Sequence, residues 1–216
     1  MSPRAMIVCL ALSVFLNGGV SAALAQESWN SQELERKVEK FLKENRSNWN
    51  DWNVPYEDGK LLHDLIVKHK YTRALEIGTS TGHSAVWMAL ALSKTGGRLI
   101  TIEIDGDRHK TALKNFRQAG VDHLVDARLA DAHQLVRGLK GPFDFVFSDA
   151  DKEWYTQYFI DLDPKLAVGG CFTAHNAGYA YGDIKRFLDH VRSLPNYQTA
   201  IDRTSGSGIS ISYKTR

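Results

Sequence analysis

Residues 73–88 decide the fold, and they read RALEIGTSTGHSAVWM. A short apolar run closes at Glu76, Gly78 and Gly82 bracket a turn, and a helical pattern begins near His83. Glycines at such a turn let a ligand approach the backbone closely. The first turn of the helix then offers free N–H groups to a carboxylate or phosphate. The segment therefore predicts a strand, a ligand-binding loop and a helix, in that order.

The rest of the chain continues this alternation of short apolar runs and stretches with a helical period. Such alternation predicts an α/β fold, a doubly wound and mostly parallel sheet with helices on both faces. Two further runs joined by a Ser/Gly-rich turn predict an antiparallel hairpin at the end. The predicted strands are 74–77, 99–104, 124–127, 143–147, 171–174, 197–202 and 208–213, and the predicted helices are 30–47, 57–69, 83–94, 106–119, 131–139, 152–161 and 182–193.

Composition and charge limit the classes of protein to which this chain can belong, but they do not indicate its chemistry. The 216 residues are 43% hydrophobic and 24% charged, which is typical of one globular domain. A formal net charge of +2 gives no strong electrostatic case for a nucleic-acid partner. The two cysteines, Cys9 and Cys171, do not form a disulfide framework, and we expect Cys171 to be a buried small residue.

The N-terminus has the three-part layout of a secretory signal peptide. Arg4 supplies a positive charge, residues 5–16 form an apolar run, and Ala23-Leu-Ala25 matches a cleavage site. The 12-residue run is shorter than the ~20 residues of a membrane-spanning helix. We therefore expect a signal peptide over 1–25, a single mature domain over 26–216 with no membrane association, and a secreted or periplasmic location. The alternatives are an uncleaved anchor and a buried helix.

Acidic residues close the predicted strands that follow the glycine turn. Glu103 ends the second strand, where it can accept hydrogen bonds from ribose hydroxyls, and Asp131 follows the third, where it can accept from an adenine amine. Singly, each has a structural explanation, as a solvated strand end or a helix N-cap. Together they predict a nucleoside site at the carboxyl edge of the sheet. The glycine spacing is G-x-x-x-G, which argues against a nicotinamide-dependent oxidoreductase.

Four segments resemble one family in order: LEIGTSTGHSAVWMALAL (75–92), LITIEIDGDRHKTALKNF (99–116), FDFVFSDADKEWY (143–155) and GGCFTAHN (169–176). They are similar to the class I S-adenosylmethionine-dependent O-methyltransferases, in particular the group with catechol and caffeoyl-CoA O-methyltransferases. The resemblance covers about residues 53–216. It implies a Rossmann-like seven-stranded sheet with an antiparallel C-terminal strand, and methyl transfer to a hydroxyl of a small aromatic acceptor. Relatives of this kind are often homodimers.

The resemblance also implies which residues hold the methyl donor. The 78–82 loop would face the methionine part with Ser84 near its carboxylate, Glu103 would hold the ribose, and Asp131 would flank the adenine. The helices of 26–70 would form part of a lid over the donor. The full set of implied donor-binding residues is Val54, Glu76, Gly78, Thr79, Gly82, Ser84, Glu103, Asp131, Ala132 and Asp149.

The chemical centre departs from the family at one position. The family binds a divalent cation, usually magnesium, through an acid after the fourth strand and an Asp-Asn pair after the fifth, beside a lysine that acts as base. Asp149, Lys152 and Asn176 match that pattern, but His175 stands in place of the aspartate. An imidazole in place of a carboxylate weakens a magnesium site more than a site for manganese, iron or zinc.

Three hypotheses follow from His175. The first is an altered metal site formed by Asp149, His175 and Asn176. The second is metal-free catalysis in which His175 is itself the base, because an imidazole can accept a proton at neutral pH. Lys152 remains the second candidate catalytic residue, from its match to the family pattern. The third is a catalytically silent protein that binds S-adenosylmethionine or another nucleoside.

Two further expectations concern the surroundings of this centre. Loop aromatics are candidates for the walls of an acceptor pocket, namely Trp49, Trp52, Tyr179 and Tyr181. The amphipathic helix of 30–47 would pack either on a partner chain or on its own domain.

Overall fold

The computed structural model describes residues 31–216, so the signal peptide predicted over 1–25 lies outside the described residues. Seven strands form one sheet: β1 (Arg73–Ile77), β2 (Arg98–Glu103), β3 (Val125–Leu129), β4 (Phe143–Ser148), β5 (Leu166–Ala174), β6 (Tyr197–Asp202) and β7 (Ile209–Lys214). The helices are α1 (31–44), α2 (Tyr56–His69), α3 (His83–Thr95), α4 (Gly106–Ala119), α5 (Ala132–Gly138), α6 (Tyr155–Leu162) and α7 (Gly182–Ser193).

The sheet has the order β3-β2-β1-β4-β5-β7-β6. All neighbouring pairs from β3 to β5 are parallel, and β7 is antiparallel to both β5 and β6. The predicted doubly wound, mostly parallel seven-stranded sheet with an antiparallel last strand is confirmed. The strand order reverses between β1 and β4, and ligands of such sheets bind outside the carboxyl ends of the strands at this point.

Two apolar clusters, one on each face, cover the sheet. One contains most of α3, which is buried at every position from His83 to Leu92. The other contains α6 and α7 around Phe159 and Phe187. Helix α1 buries Val38 and Leu42 in the first cluster, so this helix packs on its own domain.

The structure differs from the sequence prediction mainly in β5 and α6. Strand β5 begins at Leu166 rather than 171, because Gly169 and Gly170 interrupt the apolar pattern from which strands are predicted. Helix α6 begins at Tyr155 rather than 152, since Lys152–Trp154 form a 3₁₀ turn before it. Within residues 31–216, no helix combines the length and apolar character needed to span a bilayer.

Candidate active site

A cavity of about 420 Å³ opens at the carboxyl edge of the sheet, at the predicted position. That volume lies within the ~300–1,000 Å³ typical of small-molecule sites. Each of the four consecutive strands β1 to β4 contributes a wall, and the residues that carry the argument are Gly78, Glu103, Asp131, Ala132, Asp149 and Lys152.

The glycine loop after β1 requires glycine at both of its ends. Gly78 has φ 97°, and a Cβ there would lie 2.9 Å from the carbonyl carbon of Asp149. Gly82 has φ 98°, and its Cβ would lie 2.6 Å from the ring of Phe116. Both conformations are strained for other residues. The backbone after β1 therefore lies directly against the backbone after β4, which brings the two halves of the cavity together.

Glu103 is fixed by backbone donors at the end of β2. The N–H of Ser80 donates to Oε2 at 2.6 Å, and the N–H groups of Ile104 and Asp105 donate to Oε1 at 3.0 and 2.9 Å. The side chain is 6% exposed and lines the cavity. A carboxylate has about four acceptor sites and three are used here, so Glu103 keeps capacity on Oε2 for a hydroxyl of a ligand.

Asp131 serves as the N-cap of α5 and also lines the cavity. Its Oδ1 accepts a hydrogen bond from the N–H of His133 at 2.9 Å. Asp131 is therefore both a helix N-cap and a residue of the cavity wall. The His133 ring stacks on Trp154 with centroids 3.7 Å apart, and its Nε2 lies 3.0 Å from Oδ2 of Asp151. Ala132 and His133 complete this wall.

The side chains of three predicted donor-binding residues pack beneath the glycine loop rather than on the cavity wall. The Ser84 hydroxyl donates to Oε1 of Glu76 at 2.5 Å, and the Thr101 hydroxyl donates to Oε2 at 2.5 Å and meets that of Thr79. The pKa of Glu76 is raised to about 8, mainly by burial. The two hydroxyl donors oppose this shift, and the nearby charges of Asp149 and Glu103 add to it. Glu76, Thr79 and Ser84 hold the loop from below.

Residues 51–54 lie over the glycine loop and are bonded to it. The side-chain amide of Asn53 donates to Thr81 Oγ1 at 2.8 Å, and the Ser80 hydroxyl donates to the carbonyl of Asp51. Val54 is buried, and its carbonyl lies 2.9 Å from Nδ1 of His83. This segment lies within residues 26–70, whose helices were predicted to form part of a lid. Its Trp52 side chain is 80% exposed and lines the cavity.

Sequence reasoning missed Arg108 on α4. Its guanidinium lies 3.0 Å from a carboxylate oxygen of Asp51, and the residue lines the cavity. The sequence offers no signal for it, because the pair joins positions 57 residues apart. Arg108 ties the segment of residues 51–54 to the wall formed after β2.

Lys152 reaches the cavity from the 3₁₀ turn after β4. Its Nζ donates to Oδ1 of Asp149 at 2.9 Å and to the carbonyl of Ala150 at 3.0 Å. The side chain is 39% exposed and lines the cavity together with Asp149. An ammonium has three donors, and the third contacts the Asp149 carbonyl at 3.5 Å, the longest of the three bonds and the easiest to exchange for an oxygen in the cavity.

His175 lies behind Asp149 and does not line the cavity. Its Nδ1 is 3.2 Å from Oδ1 of Asp149, and its Nε2 is 2.9 Å from Oδ2 of Asp58. Burial lowers the pKa of His175, but the hydrogen bonds and charges of the two carboxylates outweigh burial and raise the pKa to about 9. His175 therefore does not lie where a catalytic base could contact an acceptor in the cavity, in contrast to the hypothesis that it is the base.

Asp58 is the second residue that the sequence prediction missed. It is 1% exposed in the first turn of α2, and it also accepts a 2.7 Å hydrogen bond from the hydroxyl of Ser205. An acidic residue in a first helical turn is ordinary, so only the long-range pairing with His175 distinguishes Asp58.

The predicted cation site does not fit these contacts. Oδ1 of Asp149 already accepts from Lys152 and His175, and both ring nitrogens of His175 face carboxylates. Asn176 follows in a left-handed turn (φ 59°). Within residues 31–216, no group of three or more His, Cys, Asp or Glu side chains is arranged to hold a metal ion.

Three of the four predicted pocket aromatics lie elsewhere. Trp49 stacks on His83 with centroids 4.8 Å apart. Tyr179 and Tyr181 are exposed outside the cavity, and Trp52 alone of the four lines it. Cys171 is fully buried, as expected.

A family profile described as O-methyltransferase matches residues 25–190. The chain belongs to the O-methyltransferase family. This O-methyltransferase is 32% identical over 193 residues to a putative caffeoyl-CoA O-methyltransferase of Arabidopsis thaliana, covering 83% of this chain and 82% of that protein. It is 43% identical over 111 residues to a catechol O-methyltransferase of Niastella koreensis, and that alignment spans half of each protein.

Solved structures of O-methyltransferases have the same fold. The Bacillus cereus enzyme in complex with SAH has a TM-score of 0.71 and 27% identity, covering 83% of this chain and 91% of that one. TomG from Streptomyces achromogenes in complex with SAM has a TM-score of 0.72 and 28% identity, covering 83% and 90%. The resemblance inferred from the four segments is confirmed.

Proposed function

We propose that this O-methyltransferase transfers a methyl group from S-adenosylmethionine to a hydroxyl of a small, catechol-like aromatic acceptor. The observation that carries the proposal is one cavity lined by Gly78, Glu103, Asp131 and Lys152 at the switch point of the sheet. Complexes of the similar Streptomyces and Bacillus enzymes with SAM and SAH support the choice of donor.

The donor would lie along the carboxyl edge from β1 to β3. Glu103 accepts a hydrogen bond from a ribose hydroxyl, for which its backbone-fixed carboxylate keeps capacity. Asp131 and Ala132 flank the adenine, and the backbone around Gly78 faces the methionine part. The segment of residues 51–54 covers the donor.

The acceptor would enter at the open side, where two large apolar side chains are exposed. Trp52 and Ile104 are 80% and 70% exposed, and both line the cavity. Exposed apolar surface at a cavity mouth favours a flat apolar ligand. The partial alignment with the Niastella catechol O-methyltransferase supports an aromatic diol.

Methyl transfer is an in-line displacement at the carbon of the sulfonium. A lone pair of the acceptor oxygen forms the new O–CH₃ bond while the S–CH₃ bond breaks and its electron pair stays on sulfur. Lys152 lines the cavity beside Asp149 as an ammonium, and it takes the hydroxyl proton once this ammonium has released a proton to solvent. Asp149 and the Ala150 carbonyl orient Nζ of Lys152.

Calorimetric titration with S-adenosylmethionine and with NAD tests the donor, and we expect saturable binding of the first alone. Incubation with methyl-labelled donor and a panel of catechols and monophenols tests the reaction. Tight donor binding without turnover of any acceptor would favour the catalytically silent alternative.

Replacement of Lys152 by Ala tests the base, and we expect turnover to fall by about 10²–10⁴-fold with donor affinity retained. Lys152→Arg keeps the positive charge but does not give up a proton, so it should be nearly as inactive. Lys140→Ala, at an exposed lysine, is the matched control. Full activity of Lys152→Arg would contradict the role of Lys152 as a base.

A further inference from the structure

Four charged side chains alternate in sign from the core to the cavity. Asp58 on α2 contacts His175 after β5, His175 contacts Asp149 after β4, and Asp149 contacts Lys152. Asp58 and His175 are buried, with side-chain exposures of 2% and 7%, whereas the side chains of Asp149, 9% exposed, and Lys152 reach the cavity. We call these four residues the charge row.

The hydrogen bonds of His175 determine how many protons its ring carries. An ionised carboxylate only accepts hydrogen bonds, whereas a neutral imidazole has a single N–H. Both ring nitrogens of His175 face carboxylates, at 2.9 and 3.2 Å, so both contacts are satisfied only when both nitrogens carry hydrogen. A ring in that form has no lone pair with which to bind a metal ion.

The charges of the row then cancel without any added ion. Two carboxylates face one imidazolium and one ammonium. A buried carboxylate without a partner is costly, and here a side chain supplies the partner for Asp149. A divalent cation at Asp149 would meet the positive charges of both His175 and Lys152.

We propose that His175, held by Asp58, is a built-in cation that takes the place of a divalent metal beside Asp149, so that Lys152 is positioned for methyl transfer without a metal. His175 is then a positioning residue that acts through Asp149. The effect on turnover rests on the proposed function, but the absence of a metal from the row does not.

Metal titration tests the row without any need for turnover. The purified full-length protein is titrated with Mg²⁺ and Mn²⁺ by calorimetry and by thermal unfolding, and we expect no binding and no rise in Tm at millimolar concentrations. Stoichiometric binding that Asn176→Ala abolishes would overturn the proposal. Binding that Asp149→Asn abolishes would also overturn it, whereas binding that neither substitution changes lies elsewhere and supports a row free of metal.

A matched pair of substitutions at His175 sharpens the test. His175→Asp places a carboxylate beside Asp149 and Asn176, so this variant should gain a Mg²⁺-dependent rise in Tm. His175→Asn removes the positive charge without adding a carboxylate and should gain none. Circular dichroism confirms that each variant is folded. A folded His175→Asp protein whose Tm does not change with Mg²⁺ would overturn the proposal.

The kinetic readouts separate positioning from general stability. Wild-type turnover should be unchanged by excess chelator, and loss of turnover that Mg²⁺ restores would overturn the proposal. Asp58→Asn and His175→Asn should lower kcat at least tenfold and shift its pH profile while KM for the donor stays within about twofold. Unchanged kcat and pH profile in both would contradict the positioning role. If no acceptor is turned over, the proposed function fails while the metal titrations still decide this proposal.

Discussion

At the scale of single residues, the contact between two backbone segments makes Gly78 hard to replace. Gly96 also has a positive φ, of 75°, but a Cβ there would meet nothing within 4 Å. Gly96→Ala thus measures backbone strain alone, about 1 kcal/mol. Gly78→Ala adds the clash with Asp149, so we expect at least about twice that loss of unfolding free energy in urea, together with weakened donor binding. Equal losses in the two variants would contradict the close approach.

His83 makes stability sensitive to acid. Its Nδ1 donates to the Val54 carbonyl and its Nε2 accepts from Trp87, so only the neutral ring fits. Burial lowers the pKa of His83 to about 4, while the Val54 hydrogen bond and the charge of Glu57 oppose the shift. The unfolded chain therefore binds a proton between about pH 6.5 and pH 4 that the folded chain excludes, and stability falls as pH drops through this window.

The measurement compares the unfolding free energy of the wild type and His83→Asn at pH 7 and pH 4. The advantage of the wild type should shrink by about 3 kcal/mol, at ~1.4 kcal/mol per pH unit. Because Glu76 and His175 remain in both proteins, their own pH dependence cancels in the difference. An advantage that is constant with pH would contradict a neutral buried ring.

A site residue could be predicted from the sequence when its position next to a strand indicated its role. Glu103 ends a strand, and Asp131 and Lys152 follow within four residues of one. Because the carboxyl ends of parallel strands meet at one edge, their place at the cavity followed from the sequence. Asp58 pairs with His175 across 117 positions. No periodicity or motif connects such a pair, which is why the prediction for His175 lacked its decisive partner.

At the scale of elements, we expect the contacts between residues 51–54 and the glycine loop to increase the affinity for the donor. Asn53 joins it to the glycine loop through Thr81 and through the N–H of His83, at 2.8 and 3.3 Å. Two hydrogen bonds at ~1 kcal/mol each amount to ~2 kcal/mol, so Asn53→Ala should raise the Kd for S-adenosylmethionine by up to about 30-fold in calorimetry. Asn50→Ala, which removes an exposed bond to the Ser47 carbonyl, is the control. Equal affinities in the two variants would show that the segment does not cover the donor.

The elements themselves were largely predictable because their apolar periods are clean. Helix α4 begins and ends where the sequence indicated, since Asp105 caps its N-terminus and Gly120 ends it. Strand β5 was predicted too short, because its first half holds two glycines and the exposed Val168. That half has little apolar pattern, so its strand conformation depends on pairing with the neighbouring strand β4.

At the scale of the whole molecule, the sequence predicts export. Expression in a bacterium with an intact secretion pathway should release a protein that begins at Gln26, because Ala23-Leu-Ala25 forms the predicted cleavage site. Intact mass spectrometry of the periplasmic and cytosolic fractions measures this directly. A protein that retains Met1 in the cytosol would contradict the prediction.

The position of β7 bears on how the chain reaches its native state. Although β7 follows β6 in the sequence, it lies between β5 and β6 and forms every hydrogen-bonded pair that joins β6 to the sheet. During synthesis, β5 therefore presents an open edge, and β6 has no place to dock, until residues 209–214 have left the ribosome. Exposed strand edges promote aggregation, so nascent chains stalled just short of this strand should be the species that chaperones must shield.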